Sequence, residues 1–309
     1  MDTPFSTGTN APAFAVPEGA CDCHMHLFDN ASPYAGPDVL KHPDATPQDY
    51  RALQRRLGTS RNVVVQPSSY GLDNRVLVAG LKALGDSARG VAVVDPTATA
   101  SQLLDLEDAG VVGVRFNLVQ AGATHERMLE DVAELIRPFG WHIQIHAHAA
   151  TLIGLADRLI RLPVPVVIDH YARLNVFPEL RPGLEDSVFR LLSTGCAWLK
   201  LSAPYIASPQ STAYEDLESF AQRLSAKYPD RLVWGTDWPH VTERGYKPDD
   251  AVLMGLLSRW FSADEITRIL VDNPRALYGF DIQEERRTDC DSIAPGSDAM
   301  RRPHWAARG

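Results

Sequence analysis

Eight short apolar runs, separated by longer amphipathic stretches, constrain the fold more than any other feature of this sequence. The runs are Cys21–Phe28, Asn62–Pro67, Gly90–Asp95, Val111–Asn117, His142–Ala147, Val164–His170, Ala197–Ala203 and Leu232–Asp237. Several are apolar at consecutive positions, as in Val63-Val64-Val65 and Val164-Pro165-Val166-Val167-Ile168. A strand with one wet face alternates apolar and polar residues, whereas an unbroken β-branched run belongs to a strand covered on both faces, as in a parallel sheet. Helix-like segments fill the gaps: within 125–139, Met128, Val132, Leu135 and Ile136 fall at helical spacing, and 151–161, 184–192 and 214–228 read the same way. Eight such strands with helical crossovers predict an α/β fold, a (β/α)8 TIM barrel forming a single domain. No GxGxxG or Walker sequence follows any run, so nothing supports a nucleotide-binding sheet.

The flanks differ in composition. Residues 1–18, rich in Thr, Pro, Ala and Gly, read as a flexible arm, and 283–309, without periodicity, read as a tail; 19–282 is then the barrel domain. The net charge of -9 and the lack of a long apolar stretch point to a small-molecule substrate, with no nucleic acid and no membrane as partner. Cys21, Cys23, Cys196 and Cys290 are too few and scattered for a disulfide framework, and Met1 to Pro17 lacks the pattern of a secretory signal, so a cytoplasmic location is expected. Monomer and homodimer both remain open.

Chemistry gathers at the carboxyl ends of the runs, where barrel enzymes build their sites. The first run carries His24 and His26, two apart and therefore able to share one ligand. The fourth carries Arg115 and Asn117, the fifth Gln144 and His146, the sixth ends in Asp169-His170 with Arg173 beyond, and the eighth ends in Asp237 with His240 following. Each alone is ordinary; an isolated histidine is often a satisfied core residue. Their joint position at strand ends is not.

These residues carry a resemblance to the amidohydrolase superfamily, and within it to the branch of 2-pyrone-4,6-dicarboxylate lactonases. Pro17-Glu18-Gly19-Ala20-Cys21-Asp22-Cys23-His24-Met25-His26, Gln66-Pro67-Ser68, Gly113-Val114-Arg115-Phe116-Asn117, Asp169-His170 with Arg173, and Gly235-Thr236-Asp237-Trp238-Pro239-His240 are similar to that branch, across residues from about 17 to 280. The resemblance implies a lactone-opening hydrolase of aromatic-compound catabolism, with a carboxylated lactone as substrate. Asp237 would be the general base, and His24, His26 and His170 would polarise the carbonyl. Arg115 and Arg173 would bind a carboxylate, whose geometry a guanidinium fork matches. Ser68, Ser69, Tyr70, Tyr34, Asn117, Gln144, His146 and His240 are the further candidate substrate-binding residues.

Three departures narrow the substrate. Gln120-Ala121-Gly122 stands where the branch has a basic cluster, Ser202-Ala203-Pro204-Tyr205-Ile206 where it has an arginine, and Thr242 where it has an asparagine. Fewer cations imply a lactone with one acidic group, or a neutral one. The branch is metal-independent, so no cofactor is expected to be required. His146, where the branch has a tyrosine, leaves an alternative: one divalent metal, zinc above all, held by His24, His26, His146 and Asp237 as in related decarboxylases. The alternative activities are zinc-dependent non-oxidative decarboxylation of an aromatic or muconate acid, and lactone isomerisation.

Overall fold

The computed structural model describes residues 3–280, apart from 121, 211 and 212; the tail at 283–309 lies outside them, with Cys290. Eight parallel strands form one sheet in sequence order: β1 Cys21–Met25, β2 Arg61–Val65, β3 Ala88–Ala92, β4 Val111–Asn117, β5 His142–His146, β6 Val166–Ile168, β7 Ala197–Ser202 and β8 Leu232–Gly235. The seam closes through the bridge of Met25 with Trp238, the His26 amide donating to the Trp238 carbonyl and the Asp237 amide to that of His24, both at 2.8 Å. Gly235 permits this closure: a Cβ there would sit 2.7 Å from the His24 backbone nitrogen. β3 ends earlier than the apolar run predicts because the Asn74 side chain takes both the amide and the carbonyl of Val93.

Helices connect the strands: α1 Pro47–Leu57, α2 Arg75–Leu84, α3 Ala100–Asp108, α4 Leu129–Ile136, α5 Ala149–Ile160, α6 Arg181–Ser193, α7 Pro204–Ala207, α8 Glu215–Lys227, α9 Asp250–Trp260, α10 Ala263–Thr267 and α11 Asn273–Tyr278. Local sequence sets their ends. Thr46 and Asp49 form a capping box at the start of α1, Pro47 occupies its first turn, and Gly58 ends it in the left-handed region at φ 77°. Helix residues such as Leu53, Leu81, Val132 and Leu155 pack on the outward strand residues Val64, Val114, Ile143 and Leu199 in one core. Inward residues form a second, smaller cluster with Cys21, Cys23, Val63, Val65, Val91, Val167 and Val233, joined by Tyr278 and Phe280. None of the described helices is long and apolar enough to cross a membrane.

Two local findings differ from expectation. The β1–β2 register slips between Asp22 and Met25, and this irregularity lets His24 and His26 join Cys21 and Cys23 on the inner side. The N-terminal segment is tied down rather than loose over its first part. The Trp238 indole donates to the Pro4 carbonyl at 2.8 Å, and Arg56 donates to the Thr7 carbonyl at 2.9 Å and the Ser6 hydroxyl at 2.7 Å.

Candidate active site

β1, β6 and β8 bring the four expected catalytic residues to one point. Asp237 Oδ1 lies 3.3 Å from His26 Nε2, 3.5 Å from His24 Nε2 and 3.8 Å from His170 Nε2. His24 and His26 meet through their Nε2 atoms at 3.3 Å. His170 sits on a turn whose four residues, His170 to Arg173, all have positive φ. That conformation is costly for residues with a Cβ. It aims His170 inward, where its Nδ1 meets Ser202 Oγ at 2.9 Å, and sets Arg173 Nη1 3.4 Å from His146 Nε2. Of the nine described non-glycine residues at positive φ, seven are His170 to Arg173, Ala203, Asp237 and His240, so strain concentrates around the site.

Beneath this layer lies a buried polar floor. Asp169 accepts from Gln144 Nε2 at 3.0 Å and has Lys200 Nζ and Arg115 Nε each at 3.8 Å. Lys200, fully buried, donates to Gln144 Oε1 at 2.7 Å and to the Cys23 carbonyl at 2.8 Å, and lies 3.4 Å from His24 Nδ1. Burial, with Lys200 and the neighbouring imidazoles, holds His24 well below the usual histidine range. Burial likewise lowers His146 and His170. Burial alone would raise Asp237, but His170, His26 and His24 outweigh it and hold the carboxyl well below the usual range, so it is an anion at neutral pH.

The expectation of a site that needs no cofactor is corrected by this geometry. Two groups, His24–His26–Asp237 and His24–Asp169–His170, each bring ligand atoms within 4.8 Å of one another. His26 Nδ1 faces the Val65 carbonyl at 2.7 Å, and a carbonyl only accepts; the ring proton is therefore on Nδ1 and a neutral His26 turns its Nε2 lone pair toward Asp237. The converging donors fit a divalent cation. Asp169 already has Lys200 and Arg115 nearby, whereas no described Lys or Arg comes within 4.0 Å of Asp237. The first group is therefore the better seat, and its nitrogen and oxygen donors suit zinc. The expected fourth ligand, His146, belongs to neither group: the Arg173 guanidinium, a pure donor, engages its Nε2.

A cavity of about 500 Å³, counted with its open mouth, lies above Asp237, His26 and His170. Arg115, Asn117, His146, Ser68, Ser69 and Gln120 supply polar wall; Phe28, Leu40, Ile206 and Val241 supply apolar wall. Asn117 Nδ2 donates to Ser68 Oγ at 2.8 Å. Arg115 Nε, Arg173 Nε and His146 Nδ1 are buried without a hydrogen-bond partner among the described residues. Five expected substrate contacts do not line this space: Arg173 stands behind the lining residue His146, and the other four are held elsewhere. Tyr34 and Tyr70 stack on each other with ring centroids 5.5 Å apart, their hydroxyls held by the first loop at Asn30 and Asp29. Gln144 is fully buried in the floor. His240 is fully buried too, its Nδ1 2.8 Å from Tyr205 Oη and its Nε2 3.1 Å from Asp250 Oδ2.

Sequence reasoning passed over Lys200, Tyr205, Ser202 and Asp250 as site residues. For Lys200 a signal existed: a lone charge inside Trp198-Leu199-Lys200-Leu201 has to be buried and paired. For Tyr205 none did, since its contact with Asp237 arises from α7 folding back onto the segment that follows β8.

A (β/α)8 barrel with histidines and one carboxylate at its carboxyl-terminal mouth defines the amidohydrolase class of enzymes. The Amidohydrolase family model matches residues 21–280, and the chain belongs to that family. It is 37% identical over 285 residues to the 2-pyrone-4,6-dicarboxylate hydrolase of Comamonas testosteroni, covering 86% of this chain and 92% of that protein. It is 32% identical over 276 residues to the D-galactarolactone isomerase of Agrobacterium fabrum, covering 87% and 94%. A solved apo structure from Agrobacterium tumefaciens superposes with a TM-score of 0.80 at 30% identity, covering 89% of this chain and 98% of the other.

Proposed function

We propose that this enzyme hydrolyses a lactone bearing a carboxylate. The observation that carries the reading is Asp237 Oδ1, within 3.3–3.8 Å of three imidazoles at the base of a cavity whose wall includes Arg115. The similarity to a hydrolase of a dicarboxylated pyrone supports it.

The chain's own residues divide the work. Arg115 and Arg173 bind the carboxylate, and the apolar wall takes the ring. Asp237 Oδ1 removes a proton from water as the water oxygen bonds to the lactone carbonyl carbon. His170, with Ser202 Oγ against its Nδ1 and its proton on Nε2, faces the developing oxyanion and stabilises it, while the lone pair on His26 Nε2 is kept for a cation. The ring carbon–oxygen bond then breaks, the departing oxygen takes the proton from Asp237, and the new acid releases its own proton as carboxylate. A divalent ion held by His24, His26 and Asp237, when bound, would supply Lewis-acid polarisation that eases the first step.

A second reading, lactone isomerisation, has a specific support in the 32% identity to D-galactarolactone isomerase. There Asp237 would deprotonate a substrate hydroxyl that attacks in place of water. A panel of carboxylated lactones, followed by proton release and by product mass with and without added zinc in water enriched in heavy oxygen, tests both. Hydrolysis predicts one heavy oxygen per product and a rate that chelator lowers. Turnover with no label incorporation overturns hydrolysis in favour of isomerisation. The free thiols Cys21, Cys23 and Cys196 support a cytoplasmic site of action as part of this reading.

A further inference from the structure

We infer that Tyr205, backed by His240 and Asp250, is a positioning residue that fixes which oxygen of Asp237 faces the reaction. The two carboxylate oxygens have separate surroundings. Among the described residues, Oδ1 meets only the three imidazoles, at 3.3, 3.5 and 3.8 Å. Oδ2 accepts from Tyr205 Oη at 2.9 Å. The same hydroxyl lies 2.8 Å from His240 Nδ1, and His240 Nε2 lies 3.1 Å from Asp250 Oδ2. A continuous chain thus runs from the reacting carboxylate to the first residue of α9.

The chain answers a physical need. The terminal torsion of an aspartate is soft and nearly two-fold, so burial alone does not fix the carboxylate plane. Tying Oδ2 back removes that freedom and leaves Oδ1 as the oxygen offered to water, substrate or a cation. Support from behind makes the tie firm, as outer hydrogen-bond partners do for ligating and catalytic groups. Tyr205 does not line the cavity; its neighbour Ile206 does. It therefore acts through Asp237.

Backbone geometry converges on the same chain. Ala203 (φ 46°), Asp237 (φ 65°) and His240 (φ 56°) occupy the left-handed region, which costs energy for residues with a Cβ. Ala203 turns the chain from β7 into α7 and so aims Tyr205. The His240 amide donates to the Asp237 carbonyl at 2.8 Å and closes a turn that stacks both side chains toward Tyr205. Strain at each bend that places a member of the chain is consistent with a shape kept for function.

The inference rests on the reading of Asp237 as base and ligand, and two readouts keep the two separable. Tyr205→Phe removes a single oxygen. It is expected to lower kcat for lactone hydrolysis roughly 10- to 100-fold with KM within about twofold, and to weaken zinc binding to chelator-stripped protein by roughly 10- to 100-fold in competition with a chromogenic chelator. His240→Gln tests the chain from its far side, and the double variant should lose no more than the worse single one, because residues acting as a unit are not additive. Unchanged kcat and zinc affinity in Tyr205→Phe overturns the inference. So does a raised KM with kcat intact, which would assign Tyr205 to packing beside Ile206, and so do fully additive losses. Should the wild type open no lactone, the proposed function fails while the zinc competition still decides this point.

Discussion

Arg173 is a guanidinium held behind the cavity residue His146 by a strained turn, with one nitrogen on His146 and its Nε buried without a partner among the described residues. A buried donor left unsatisfied is costly, and a carboxylate is the group that would satisfy it. Arg173→Met is therefore expected to raise KM for a carboxylated lactone about tenfold or more, with a small change in kcat and none in KM for a neutral lactone. Steady-state kinetics on a matched pair of substrates checks this, and equal effects on both would remove the carboxylate from the account. At this scale the sequence was informative where residues are chemically distinctive. His24, His26, His170 and Asp237 stand out because histidine and aspartate at strand ends are rare as a set. Tyr34, Tyr70 and His240 were misplaced because side-chain direction in loops depends on tertiary contacts, here the Tyr34–Tyr70 stack and the Tyr205–His240–Asp250 chain. Metal need was misjudged for a similar reason: the Val65 carbonyl that fixes the His26 tautomer is 39 residues away in sequence.

Among the elements, β5 shows how alternation assigns roles. His142, Gln144 and His146 point inward while Ile143 and Ile145 join the outer core. His146 reaches the cavity, Gln144 the floor, and His142 the lowest layer, with its ring 5.5 Å from that of Tyr278. Burial, assisted by Lys200, holds His142 down at about 3. The unfolded chain, with a histidine near 6.5, binds the proton more readily than the folded protein between those values, so stability falls as pH drops below 6.5. The expected slope is about 1.4 kcal/mol per pH unit for this group. Denaturant titrations of wild type and His142→Gln at pH 6.5, 5.5 and 4.5 should show wild type losing that much more per unit; parallel curves would contradict the assignment. The strands and most helices were legible because parallel strands and amphipathic helices leave opposite periodicities. The slip in β1 was not, since a bulge shifts the phase without changing residue type.

Across the whole molecule, the barrel makes neighbours of residues more than two hundred positions apart. Closure of β8 on β1 is the step that assembles the site, because it lays Asp237 against His24 and His26 through backbone hydrogen bonds that Gly235 makes possible. The fold class followed from the spacing of the runs, whereas the choice among lactones depends on cavity walls assembled from several loops. The central claim is that the Asp237 carboxylate, set among three imidazoles, performs the ring opening. The most direct test is the kcat of Asp237→Asn on a lactone that the wild type hydrolyses, with substrate affinity measured alongside. Loss of a general base predicts a fall of roughly 10²- to 10⁴-fold with affinity largely kept. A kcat within a few-fold of wild type would place the chemistry elsewhere.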